Sequence, residues 1–96
     1  MDVFTNSNRI TIDGNIKSNS DFQTIKDSVD TVVTNHKNII VDVKDSMSFT
    51  SATIGYFNKL ILKDKINVQI NVGDSQLYTL LDDLNLVSVF NLKRIK

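Results

Sequence analysis

The chain has 96 residues, with eleven Lys and Arg against eleven acids, all of them Asp, and it contains no Cys, Pro or Trp and one His, His36. Without Cys there are no disulfides, thiolate zinc sites or cysteine nucleophiles, and a lone His removes multi-His metal sites and leaves any Ser-His-Asp apparatus to His36. Zero net charge gives no general pull toward nucleic acid or anionic membrane, no apolar run approaches the roughly 18 residues of a transmembrane helix, and no basic, hydrophobic leader opens the chain.

The first element reads as a hairpin. Val3-Phe4-Thr5 and Arg9-Ile10-Thr11-Ile12 are β-prone runs around Asn6-Ser7-Asn8, whose side chains favour turns. Asp13-Gly14 ends the second run, and Gly14 is expected in a backbone conformation that other residues resist. An amphipathic helix follows from about Asp21 to Asn35, with Phe22, Ile25, Val29, Val32 and Val33 at three- and four-residue steps on one face. Ser20 and Gln23 match a capping box at its start, and Asn35 is its expected stop.

Asn38 to Lys44 is a β-branched apolar run suited to a strand buried on both faces. Asp45 to Phe49 reads as a polar loop holding Met47 and Phe49, as core plugs or contact residues. A second helix runs from Ser51 or Ala52 to Lys63, with Thr50 or Ser51 as N-cap and Ile54, Phe57, Leu60 and Ile61 inward. Tyr56 and Lys59 fall off that face and are expected to be exposed. Ile66 to Val72 alternates apolar and polar residues, the pattern of a half-buried strand. Gly73 and Asp74 turn the chain, and Asp74 or Ser75 caps a third helix to about Leu84 with a stripe of Leu77, Leu80, Leu81 and Leu84. Asn85 stops it. Val87–Phe90 and Leu92–Ile95 are short, the latter a candidate edge strand.

The order β-β-α-β-α-β-α-β predicts an α/β fold. A single small domain over residues 1–96 would hold a mixed, mostly parallel sheet of about five strands, joined by right-handed crossovers, with helices packed on it.

Few side chains carry chemistry. His36, just past the first helix, has no second His, Cys or Glu to complete a site. Asp82 and Asp83 diverge by about 100° on their helix and read as a solvated face. Asp42, near a strand end, is expected to cap or bond the following loop. Gly14 and Gly73 are isolated turn residues and build no phosphate loop. Lys59, Lys63 and Lys65 complement a helix C-terminus. No catalytic residue, metal site or cofactor is expected, and the chain is not read as an enzyme.

The ordered set of pieces resembles the STAS domains, named for sulfate transporters and anti-sigma factor antagonists. Ile12-Asp13-Gly14-Asn15-Ile16 looks like the strand-ending segment before the family's first helix. Asn38–Lys44 looks like its central strand, and Met47–Leu60 like the loop and helix that carry its signature. Leu77–Phe90 looks like the later Leu-rich helix and tail, with Asn85-Leu86 and Phe90 at the tail positions. The family signature is Asp-Ser-Ser-Gly, and Thr50-Ser51-Ala52-Thr53 stands there. Ser51 falls on the Ser that a partner kinase phosphorylates, while Thr50, Ala52 and Thr53 replace the other three positions. A final helix usual in the family is short or absent here, and a second copy or a partner could cover the face it leaves.

This resemblance implies a bacterial, cytoplasmic signalling protein that regulates transcription by protein–protein binding. Its partner would be a kinase-type anti-sigma factor or related regulator, with no nucleic acid, no direct membrane insertion and homodimerisation as an option. Ser51 is the implied phosphorylation site, with Thr50 and Thr53 as lesser candidates. Ser48, Thr50, Ser51, Thr53 and Tyr56 form the implied partner-binding surface. ATP belongs to the kinase. The alternative is a degenerate, non-phosphorylated STAS scaffold in a signalling or membrane-transport complex. A balanced chain would go from neutral to about −2 on one phosphorylation.

Overall fold

A computed structural model describes residues 1–95. The elements run β1 (Asp2–Asn6), β2 (Arg9–Asp13), α1 (Asn19–Val33), β3 (Asn38–Lys44), α2 (Ser51–Leu62), β4 (Asn67–Val72), α3 (Ser75–Asp83) and β5 (Lys93–Arg94). The strands form one five-stranded sheet in the order β1-β2-β3-β4-β5. β1 is antiparallel to β2, and the remaining neighbours pair in parallel. The molecule is therefore a small α/β domain with a mixed sheet.

The register explains where the core lies. Ile10 pairs with Val41 and Val41 with Ile70, while Ile12, Val43 and Val72 make the next row. Paired residues share a face, so these rows form one apolar surface, and each of the six is at most 1% exposed. The three helices cover this surface. A strand order that never reverses, joined by crossovers of one hand, leaves every helix on the same side.

The other face carries Arg9, Ile40 and Gln69 in one row and Thr11, Asp42 and Asn71 in the next. No helix covers it. This corrects the expectation that the Asn38–Lys44 run is buried on both faces: Ile40 stays half-exposed, and polar Asp42 points to the open side. Asp42 does not serve the following loop either. Its carboxylate accepts from Arg9 and, at 2.8 Å, from Nδ2 of Asn71. The β-branched composition of β3 reflects one buried face and ordinary strand preference.

Helix ends differ from expectation by local capping. α1 starts two residues early because Ser18, not Ser20, is the N-cap, accepting from the Asp21 N–H at 3.2 Å. Asp21 reciprocates by accepting from the Lys17 N–H at 2.8 Å. The helix ends at Val33, before Asn35. Thr50 and Asp74 cap α2 and α3. Gly14 has φ +106°, as expected at the end of β2, and Asn85 leaves α3 at φ +61°, a conformation Asn tolerates.

Val87–Phe90 is a turn of helical type, with the Phe90 N–H on the Leu86 carbonyl at 2.9 Å. β5 is shorter than the expected Leu92–Ile95. Phe57, fully buried, sits at the aromatic centre of the core, against Phe49, Tyr56 and Phe90. No helix among the described residues is long and apolar enough to cross a membrane.

Candidate functional site

Loops after the parallel strands gather at the carboxyl-terminal end of the sheet, the place where α/β folds present ligand- and partner-binding groups. Here they are the β2–α1 loop, the β3–α2 loop and the β4–α3 turn. The β3–α2 loop is pinned from two sides. Fully buried Ser46 donates its hydroxyl to the Gly14 carbonyl, and the Met47 N–H donates to Oδ1 of Asn15 at 2.9 Å. Phe49 is buried, its ring 6.2 Å from that of Phe57. Two buried anchors leave Met47 and Ser48 between them, pushed outward, with Met47 51% exposed. The two hydrophobic loop residues thus divide, Phe49 into the core and Met47 to the surface.

An open groove of ≈ 450 Å³ runs from this loop to α3, lined by Met47, Ser48, Ser75, Gln76, Thr79 and Leu80. Ser51 follows at the same end, as the first residue of α2, and is exposed. Among the described residues its hydroxyl makes no hydrogen bond, so it stands free at the positive end of the helix dipole.

The remaining expected site residues move inward. Thr50 is the N-cap, half-buried, accepting from the Thr53 N–H at 3.2 Å. Thr53 is fully buried, with its hydroxyl 2.9 Å from that of Thr50. Its hydroxyl is therefore not presented at the surface of the folded domain. Tyr56 is likewise buried, at 6% exposure, which corrects the expectation that it is exposed.

The cause is a rotation of α2. The helix buries Thr53, Tyr56, Phe57 and Leu60, while Ile54 and Ile61 are only half-buried. α2 packs against α1 as well as the sheet, and the hydroxyls of Thr53 and Tyr56 find partners that make burial tolerable. Tyr56 donates to Oδ1 of Asp30 at 2.5 Å. Burial, followed by this bond to a carboxylate, pushes the Tyr56 hydroxyl well above its ordinary value. Burial also acts to raise Asp30, but hydrogen bonds from Lys26 and Tyr56, with the charges of Lys26 and Lys59, outweigh it and hold the carboxyl below its ordinary value. The hydrogen bond to Asp30 raises Lys26 in turn. These groups are satisfied by one another and clamp two helices.

The rotation presents a surface of which Ser51 and Lys59 were expected and Ala52, Gly55 and Leu62 were not. Ser51, Ala52, Gly55 and Lys59 are exposed along the outer side of α2, followed by Leu62 at 65%. A Cβ built on Gly55 would meet nothing within 4 Å. A mid-helix Gly costs about 0.5–1 kcal/mol relative to Ala, and no contact inside the domain requires this one. The unpatterned Gly in a helix was the available signal. Ser46 and Asn15 carried none, since a tether between two loops leaves no periodicity.

His36 is half-buried, and Asp82 and Asp83 are exposed. Lys59 lies 3.9 Å from Asp64. Among the described residues no three His, Asp or Glu side chains gather as a metal site would require. Comparison with protein-family models, curated proteins and solved structures finds no match for the chain.

Proposed function

We propose that this protein is a STAS-like antagonist that works by binding a protein partner, with Ser51 as its phosphorylation switch. The observation that carries the reading is the free, exposed hydroxyl of Ser51 at the first turn of α2, beside the pinned and outward-facing Met47-Ser48. Ser51 also stands where the STAS signature has its acceptor. A phosphate there adds about −1.5 to −2 charges at a helix start, favourable for the helix and disruptive for an interface laid against it. The partner surface comprises Met47, Ser48, Thr50, Ser51, Ala52 and Gly55. The last two add flatness, since neither carries a side chain beyond Cβ. The partner is a kinase-type anti-sigma factor or related regulator, and it supplies the ATP.

A second reading keeps the surface and drops the switch: a constitutive scaffold bound through α2. The absence of any acidic residue in the first turn of α2 favours it. Incubation with a kinase-type anti-sigma factor and ATP separates the two. ATP-dependent modification lost in Ser51→Ala supports the switch. A stable complex without modification, weakened by Gly55→Arg, supports the scaffold. Neither complex nor modification contradicts both.

A further inference from the structure

We propose that β1 is a self-complementary edge through which two copies of this chain pair into one continuous ten-stranded sheet. This interface is separate from the Ser51 surface and does not rest on the function proposed for it.

β1 lies at the end of the strand order, and β2 is its one neighbour. Its residues pair with β2 without interruption, from Asp2↔Asp13 to Asn6↔Arg9, so no bulge bends it away. Natural edges are blunted by Lys, Pro, bulges or a covering element. Asp2-Val3-Phe4-Thr5-Asn6 contains no Lys or Pro, and Phe4 is 58% exposed on the face no helix covers. Among the described residues, β1 makes no backbone hydrogen bond beyond those to β2.

Antiparallel pairing alternates hydrogen-bonded and non-bonded pairs. A two-residue turn at Ser7-Asn8 is closed by a bonded pair, Asn6 and Arg9, so Phe4–Thr11 and Asp2–Asp13 are bonded pairs too. The backbone groups of Val3 and Thr5 therefore point away from β2, toward the open edge. A two-fold axis through Phe4 places Val3 of each copy opposite Thr5 of the other. Every outward N–H and C=O then meets its counterpart. This register also uses all five residues of the strand.

Side chains agree with that register. Phe4 faces Phe4 at the axis in a non-bonded pair, where cross-strand side chains approach most closely and aromatic pairs are favourable. Asp2 faces Asn6, so no like charges oppose. On the open face the row Arg9–Asn6 of one copy runs on into the row Asp2–Asp13 of the other, so Arg9, paired with Asp42 of its own chain and still half-exposed, stands on the same row as two acids of the second copy. Phe4 on Phe4, Asp2 on Asn6 and this row together select a second copy of the chain over an unrelated strand.

Sedimentation equilibrium of the full chain tests this. Wild type is expected as a reversible monomer–dimer system, and Phe4→Lys, which sets two cations at the axis, is expected to lose about tenfold or more in dimer affinity. Thr5→Pro removes an outward N–H while keeping every bond to β2, so it should stay folded by circular dichroism and be monomeric. Mixing Phe4→Lys with Phe4→Asp should restore a dimer containing one of each. A wild type monomeric up to millimolar concentration overturns the proposal. So does a dimer that neither Phe4→Lys nor Thr5→Pro weakens, or a Lys–Asp mixture that stays monomeric.

Discussion

The phenolic hydroxyl of Tyr56 on α2 and Oδ1 of Asp30 on α1 share a 2.5 Å hydrogen bond that ties the two helices together. The second oxygen of Asp30 accepts from Lys26 at 2.8 Å, and Phe22 meets the Tyr56 ring edge-on at 6.0 Å. Tyr56→Phe keeps the ring and removes the bond. A hydrogen bond to a charged group is worth about 1.5–3 kcal/mol, and the partial exposure of Asp30 places the loss near the lower end. Urea unfolding should register that loss, and carbon NMR titration should show Asp30 moving back toward its ordinary pKa.

Asp30 also makes stability depend on pH. Its folded pKa lies below the ordinary 3.8, so between the two values the unfolded chain binds more protons and stability rises with pH. The contribution is present above 3.8 and is lost as pH falls through the folded value. The stability gap between wild type and Asp30→Asn should hold steady above about pH 5 and shrink below about pH 4. A gap unchanged down to about pH 2 would show that the carboxylate charge does not matter.

Asp42 anchors the face that no helix covers. It is 8% exposed, and its two oxygens serve Arg9 and Asn71. Asp42→Ala strands the Nδ2 group of Asn71 and frees Arg9, at an expected cost of about 2–3 kcal/mol in chemical denaturation. Asp42→Asn can still accept from Asn71 and should cost less. Equal losses in the two variants would place the contribution in charge alone.

Gly55 separates stability from binding. Gly55→Ala adds a methyl group where nothing lies within 4 Å, so it should stabilise the domain by about 0.5–1 kcal/mol. Gly55→Arg should leave the fold intact and reduce partner binding. A destabilising Gly55→Ala would mean that the α2 surface is packed in a way the open space there does not suggest.

Some of this was legible in the sequence and some was not, for physical reasons. The strict alternation over Ile66–Val72 reports a one-sided strand directly, and the Leu77–Leu81 spacing reports one helix face. Both elements bury a single surface, which is what periodicity measures. α2 buries two adjoining surfaces, toward the sheet and toward α1, so its Ile54-Phe57-Ile61 stripe pointed about one residue off. Tyr56 and Thr53 then read as exposed because a polar group looks exposed until its partner is known, and those partners are Asp30, twenty-six residues away, and Thr50. Two serines competed for the start of α1, and the bond that the Asp21 carboxylate accepts from the Lys17 N–H favours Ser18 as the cap. Ser51 is exposed because it begins the outer side of α2, directly after the half-buried cap Thr50.

The central claim is that Ser51 is the switch on a partner-binding surface. The most direct measurement is phosphopeptide mass spectrometry of the protein isolated from its native cells. The account predicts phosphate on Ser51 and none on buried Thr53. Phosphate absent from Thr50, Ser51 and Thr53 alike, or present on Thr53, would contradict it.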